Sequence, residues 1–166
     1  ELLCSVYHQL HGFDVTCLRF FAVYGPRQRP DMALYKFAGL VRGGREVPLY
    51  DHGKAVRDFS FVTDVVKGVL AAVERCGGLR VYNLGHSRPY SMGEVVEELE
   101  RAFGAKARTK FMPAQPGDLR VLYASIDRAA RELDYRPEVD LPEGMRRFVE
   151  WYLNQEAQTA LAGRLP

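Results

Sequence analysis

The chain has 166 residues, of which 47 % are hydrophobic and 27 % are charged, and its formal net charge is +2. This balance is typical of one globular domain with an ordinary hydrophobic core, and it is not that of a disordered chain. So small a net charge gives no basis for binding nucleic acid or a membrane surface, and no apolar run approaches the roughly 20 residues that cross a bilayer.

The predicted elements alternate between helices and short strands. Apolar residues at helical spacing predict helices at about 2–10, 32–41, 63–76, 92–103, 127–133 and 142–153. β-prone apolar runs predict strands at about 15–23, 47–50, 55–62, 79–84 and 107–111. Residues 154–166 are expected to form a frayed tail. The pattern predicts an α/β fold with α+β-like character, without a complete doubly wound sheet.

Three of these elements carry more detailed predictions. Val15–Val23 is nearly continuous in apolar residues, which is typical of a strand buried on both faces of a parallel sheet. Thr63 is a plausible N-cap for the helix that follows it. Ser91 and Glu94 form a capping box, which predicts a helix that begins at residue 92.

A dinucleotide-binding fold needs a Gly-rich turn that receives the pyrophosphate between its first strand and helix. The chain contains neither GxGxxG nor GxxGxxG. Its glycine pairs, Gly43-Gly44 and Gly77-Gly78, follow predicted helices, where they are expected to end the helix. We therefore expect no dinucleotide pocket within this chain.

The loop Tyr24–Asp31 (YGPRQRPD) follows a predicted strand and presents two arginines, Arg27 and Arg29. In open α/β sheets, ligands bind outside the carboxyl ends of the strands, where this loop is expected to lie. A guanidinium group there suits phosphate or carboxylate, because it makes bidentate hydrogen bonds. A solvated basic loop is the alternative interpretation.

This segment resembles the one after the catalytic Tyr-x-x-x-Lys in extended short-chain dehydrogenase/reductase enzymes that act on nucleotide sugars, especially UDP-glucuronate 4-epimerases. Further family motifs follow in order at Tyr50–Lys54, Val56–Phe59, Val62–Val66, Tyr82–Gly85, Gln115–Asp118 and Gly144–Trp151. The resemblance covers residues 1–153. It implies the C-terminal, UDP-sugar-binding part of an extended Rossmann-type epimerase, without the Gly-rich dinucleotide-binding half.

The resemblance implies roles for two residues in holding the nucleotide. Arg57, in the Arg-Asp-Phe motif, is expected to contact the diphosphate, and Asp118, in the Pro-Gly-Asp motif, is expected to bind a hydroxyl. An ion pair of Arg57 with Asp58 or Asp64 is the alternative for the first residue. A plain turn role is the alternative for Asp118.

Other positions are implied to surround the sugar and the cofactor. Arg29 matches an arginine that lies beside the sugar in hexuronate epimerases, and a glucuronyl carboxylate is its natural partner. Ala22 departs from the family, because several members carry a hydroxyl or amide side chain there. The remaining implied positions are Met32 and Ala33 for the substrate, and Phe20 and Val23 for the cofactor.

Tyr50 and Lys54 have the Tyr-x-x-x-Lys spacing of the family's catalytic pair. In the family that pair lies on a helix, where residues four apart share a face. Here the intervening Asp51-His52-Gly53 predicts a turn. We therefore expect no catalytic residue in this chain. The four histidines have no metal-ligand spacing, so no metal site is expected either.

The resemblance implies that the whole enzyme uses tightly held NAD to oxidise the sugar 4-hydroxyl and then reduce the 4-keto sugar from its other face. Within that enzyme, this chain would bind the UDP-sugar beside the N-terminal Rossmann half, and no NAD is expected to bind the chain alone. The whole enzyme is expected to be a homodimer. UDP-glucose 4-epimerase, nucleotide-sugar 4,6-dehydratase and UDP-glucuronate decarboxylase remain alternatives, as do a non-catalytic nucleotide-binding fragment and a helix-rich interaction domain.

The cysteines and the N-terminus bear on where the protein acts. Cys4, Cys17 and Cys76 form no CxxC pair, so we expect reduced thiols in the cytoplasm. The N-terminal sequence has no basic region and no small-residue cleavage site, so no signal peptide is expected. It also lacks an initiator Met, which favours a domain cut from a longer chain.

Overall fold

The computed structural model describes residues 1–162, with side chains up to residue 157. Its α-helices are α1 Leu2–His11, α2 Ala33–Arg42, α3 Val62–Glu74, α4 Met92–Phe103, α5 Asp127–Leu133 and α6 Leu141–Ala162. Its strands are β1 Val15–Phe20, β2 Ala22–Tyr24, β3 Glu46–Tyr50, β4 Val56–Phe61, β5 Leu79–Leu84, β6 Pro89–Ser91, β7 Arg108–Met112 and β8 Val121–Leu122. The structure is a mixed α/β fold.

The chain forms two compact units, and each is built from stretches that are separate in sequence. The first unit consists of Glu1–Val23, Arg57–Pro89 and Leu122–Val139. The second consists of Tyr24–Val56, Tyr90–Val121 and the chain from Asp140 onward. The single domain expected from chain length stays a prediction. No linker composition marks the boundaries, because the chain passes repeatedly from one unit to the other.

The core of the first unit lies between a pair of strands and two helices. β1 and β5 are parallel, with Val15 opposite Leu79 at the start of the register. The buried core residues from α3, β5 and the α5 region are Ala72, Tyr82, Leu84, Ala129, Leu133 and Tyr135. The Tyr135 hydroxyl donates to the Gly85 carbonyl at 3.0 Å. Burial raises the pKa of Tyr135, so this phenol stays protonated as a donor.

The predicted strand Val15–Val23 is two strands, and its two-sided burial is not observed. The Val23 N–H donates to the Phe21 carbonyl at 2.9 Å, a three-residue turn that takes the chain out of the β1 ladder. Within the described residues β1 pairs only with β5, and Phe20 is 53 % exposed. A strand with one neighbour leaves its other edge and part of its faces to solvent.

The second unit packs three helices and a two-stranded parallel sheet. β3 and β7 run parallel, with Glu46 opposite Arg108. Aromatic rings from α2, α4 and α6 pack edge to face or tilted, and they belong to Tyr35, Phe103, Phe148, Trp151 and Tyr152. Phe148 is fully buried. Trp151 and Tyr152 on α6 thus pack against other aromatic rings of the second unit.

The helix ends test three predictions. The Ser91–Glu94 capping box is confirmed, since the Glu94 N–H donates to Ser91 Oγ at 3.2 Å and Glu94 Oε2 accepts from the Ser91 N–H at 2.7 Å. The Thr63 N-cap is wrong, because β4 runs straight into α3 and Phe61 takes the cap position. The tail predicted from Asn154 is helical through Ala162, since this stretch contains no Gly or Pro. Residues 163–166 lie outside the described part.

Candidate functional site

A cleft in the first unit brings together three of the predicted site residues. It has a volume of about 400 Å³, and Phe20, Ala22 and Arg57 line it. The other residues of its wall are Arg19, Phe21, Asp58 and Leu122. The cleft therefore combines an apolar lining with a guanidinium group, which suits a ligand that carries both a ring and an anion.

Arg19 is the second arginine of this cleft, and its charge is already matched. Its guanidinium donates two parallel hydrogen bonds of 2.7 Å to the Glu1 carboxylate. This contact raises the pKa of Arg19 and lowers the pKa of Glu1. Arg19 therefore already has an anionic partner within the chain.

Asp58, next to Arg57 in β4, is a framework residue that the sequence pattern did not identify. It is only 1 % exposed. Its Oδ1 accepts from the His86 N–H at 2.8 Å, and its Oδ2 accepts from the N–H groups of Ser87 and Ala124 at 2.9 and 3.0 Å. The carboxylate thus joins β4 to the loop after β5 and to the segment before α5.

Asp64 has a similar role at the start of α3. It is also 1 % exposed. Its Oδ2 accepts from the backbone N–H groups of Glu138 and Val139 at 2.9 and 2.8 Å. Lys67 Nζ lies 3.8 Å from its Oδ1. The Asp64 carboxylate thus joins the start of α3 to the segment before α6.

Arg29, Met32 and Ala33 belong to the second unit, in and after the loop Tyr24–Asp31. The Met32 N–H donates to the Arg29 carbonyl at 3.2 Å and closes a turn. Arg29 Nη2 lies 3.3 Å from Asp31 Oδ2 and 3.8 Å from Met32 Sδ. Ala33 is the first residue of α2 and is exposed. Arg29 and Met32 thus begin and end one turn, and Ala33 follows it as the first residue of α2.

Asp118 lies in an exposed loop of the second unit. Its N–H donates to the Gln115 carbonyl at 3.2 Å. Pro116 and Gly117 are the central residues of this turn, and Gly117 has a φ of +82°. A positive φ at the third residue after a proline at the second defines a type II turn, which requires Gly there. The turn role of this motif is thus observed, and the hydroxyl-binding role of Asp118 stays a prediction.

The predicted substrate and cofactor residues are divided between the units. Phe20, Ala22, Val23 and Arg57 belong to the first unit, and Val23 is half-buried in β2 outside the cleft wall. The second unit contains the others, which are Arg29, Met32, Ala33 and Asp118. Phe20, Ala22 and Arg57 meet in the cleft of the first unit. Arg29 and Met32 are in contact on a turn of the second unit.

The residues between Tyr50 and Lys54 predicted a turn, and the structure confirms that the two residues do not share an α-helix. Tyr50 is the last residue of β3 and has an extended backbone. Asp51, His52 and Gly53 have φ values of 47°, 54° and 75°. Three successive left-handed residues prevent the regular right-handed geometry that puts i and i+4 on one face.

Residues 1–85 match the NAD dependent epimerase/dehydratase family. This match covers half of the chain. The chain belongs to this family.

Among the helices of the described residues, none has the length and apolar character that a membrane span requires.

Several relatives of the chain are named as epimerases of UDP-sugars. The chain is 34 % identical to a UDP-glucuronate 4-epimerase of Thermodesulfobacterium geofontis, over 91 % of this chain and 47 % of that protein. It superposes on UDP-glucuronic acid 4-epimerase from Bacillus cereus, solved with UDP-glucuronic acid and NAD, with a TM-score of 0.87 and 31 % identity over 93 % of this chain and 50 % of that chain.

A neutral-sugar enzyme is equally similar in fold. UDP-glucose 4-epimerase from Thermotoga maritima, solved with UDP-glucose, gives a TM-score of 0.88 at 29 % identity, over 93 % of this chain and 51 % of that chain. The chain thus spans about half the length of these relatives. Its α/β fold is that of the C-terminal half of Rossmann-type epimerases, as the sequence predicted.

Proposed function

We propose that the chain is the UDP-sugar-binding half of an NAD-dependent nucleotide-sugar 4-epimerase, and that its sugar is a UDP-hexuronate, UDP-glucuronate first. The observation that carries this proposal is the cleft where Arg57 lies with Phe20 and Ala22. Relatives named UDP-glucuronate 4-epimerase support the choice of sugar. UDP-glucose 4-epimerase is a second candidate. Ala22 favours it, because the methyl group of Ala22 cannot form a hydrogen bond with a sugar carboxylate.

In this proposal the chain's own residues hold the substrate. Arg57 binds the diphosphate by charge-assisted hydrogen bonds, and Asp118 accepts from a hydroxyl of the nucleotide. Arg29 attracts the sugar carboxylate. Fixing the nucleotide while the sugar moves is an orientation task, which requires a rigid frame. Asp58 supplies that rigidity beside Arg57, because it joins three chain segments.

The residues present do not fit the whole of NAD. The chain has no Gly-rich turn for the pyrophosphate, and the residues proposed on the cofactor side are only Phe20 and Val23. When bound in a complete enzyme of this family, NAD supplies a hydride acceptor and donor. We therefore propose that a separate Rossmann half carries the cofactor and the catalytic pair.

Exposed apolar side chains in the first unit support such a partner. α1 has no buried residue, and Leu2 and Leu10 are 87 % and 71 % exposed. On α3, Leu70 and Val73 are 57 % and 69 % exposed. Apolar helix faces of this kind are typical of surfaces that another part of a protein covers.

The first test is binding of UDP and NAD to the chain by titration calorimetry. We expect saturable UDP binding and no NAD binding. Arg57→Ala is expected to weaken UDP binding by about 1.5–3 kcal/mol, the usual value for a hydrogen bond to a charged group. Arg131→Ala is the control, since this exposed arginine lies on α5 outside the cleft wall. Comparable NAD binding, or an unchanged UDP dissociation constant for Arg57→Ala, would contradict the proposal.

The second test is turnover. The chain alone is expected to interconvert no UDP-hexuronates, even with excess NAD, because it contains neither a pyrophosphate-binding turn nor a helical Tyr-x-x-x-Lys pair. A chimera that joins the first half of the Bacillus cereus enzyme to this chain is expected to do so. Chromatography of the two UDP-hexuronates measures both. Turnover by the chain alone would rule out the division of labour proposed here.

A further inference from the structure

Arg29 and Asp31 form an ion pair on the surface of the second unit. The atoms Nη2 and Oδ2 are 3.3 Å apart, and the side chains are 76 % and 65 % exposed. An exposed pair of this kind contributes only about 0–1 kcal/mol, so a competing ligand can displace either partner. Asp31 therefore occupies the guanidinium of Arg29 weakly and reversibly.

The backbone keeps the two side chains together. The Met32 N–H donates to the Arg29 carbonyl, which makes Pro30 and Asp31 the central residues of a turn. Proline at the second position fixes its own φ near the value such turns need. The Lys36 N–H donates to the Met32 carbonyl at 3.1 Å and joins this turn to α2. These backbone hydrogen bonds thus hold Asp31 next to Arg29.

We infer that Asp31 is a specificity-determining residue that competes with the carboxylate of a hexuronate for Arg29. The inference rests on the proposed function, in which Arg29 faces the sugar. The carboxylate of a uronate can take the place of the Asp31 carboxylate beside Arg29, because both carry one negative charge. A neutral hexosyl group carries no charge and cannot replace Asp31 there. Asp31 therefore lowers the affinity for UDP-hexuronate, leaves that for UDP-hexose unchanged, and keeps the hold on the carboxylate reversible while the sugar turns.

The test compares Asp31→Asn with the parent chain in calorimetric titrations with UDP, UDP-glucose and UDP-glucuronate. Removing the competing charge is expected to tighten UDP-glucuronate binding by about two- to fivefold, the range that an exposed ion pair allows. UDP and UDP-glucose binding are expected to stay the same. In an Arg29→Ala background, Asp31→Asn is expected to change none of the three affinities.

The matched control is Asp134→Asn. Asp134 and Arg136 form another exposed pair two residues apart, with Oδ1 and Nε separated by 3.1 Å, in the first unit. This variant removes the same charge and is expected to leave all three affinities unchanged. If Asp31→Asn weakens UDP-glucuronate binding or leaves it unchanged, or strengthens UDP-glucose binding equally, the inference is wrong. If no variant and not even the parent chain binds UDP, the proposed function itself fails.

Discussion

Replacing Asp58 with Ala is expected to lower the free energy of unfolding by about 3–5 kcal/mol. The carboxylate is almost fully buried and accepts three backbone N–H groups, from His86, Ser87 and Ala124. Its removal leaves these donors without their acceptor, and each buried donor left unsatisfied costs about 1–3 kcal/mol. Urea denaturation followed by circular dichroism measures the loss.

Asp58→Asn tests the charge of the carboxylate, and Asp14→Ala serves as a control. Asp58→Asn is expected to cost about 1–3 kcal/mol, because the carboxamide keeps one acceptor oxygen but turns its NH2 group toward a backbone donor. Asp14→Ala is the control, since Asp14 accepts one hydrogen bond, from the Gly78 N–H at 2.6 Å, at an exposed position. Its expected cost is below about 1 kcal/mol. Equal losses for Asp58→Ala and Asp14→Ala would show that the network around Asp58 adds no more stability than one exposed hydrogen bond.

Gly85→Ala is the second substitution with a large expected effect, about 3 kcal/mol of lost stability. A Cβ at Gly85 would lie 2.5 Å from Ala124 Cβ and 2.5 Å from Asp58 Oδ2. Neither neighbour can move aside cheaply, because Asp58 is held by its three amide donors. The glycine of the Tyr82–Gly85 motif is therefore required by close packing against Asp58 of β4 and against Ala124.

Gly77→Ala is the matched control for this substitution. A Cβ there meets nothing within 4 Å, so the change is expected to stay within about 1 kcal/mol of the parent chain. The same denaturation experiment compares the two variants. If Gly85→Ala and Gly77→Ala have the same stability, the neighbours of Gly85 accommodate a Cβ and close packing does not require glycine at this position.

The sequence alone determined the features that depend on neighbouring residues. The capping box between Ser91 and Glu94 places the start of α4 correctly, because donor and acceptor are only three residues apart. The turn between Tyr50 and Lys54 was predicted from Asp51, His52 and Gly53. The motif resemblance also singled out Arg57, Ala22 and Phe20, which line one cleft; their roles in binding stay predictions.

The tertiary structure alone decided the roles that depend on distant residues. Asp58 was considered only as a partner of Arg57, whereas its carboxylate accepts from residues 28 and 66 positions away. No periodicity records such contacts. The break of Val15–Val23 at Phe21 was missed as well, because an apolar run carries no information on where a ladder partner stops. The strands β6 and β8 were missed because three and two residues are too few to show an alternating pattern. The division into two units is the largest such effect: each unit gathers three separate stretches, and burial between distant segments, not local composition, sets its boundaries.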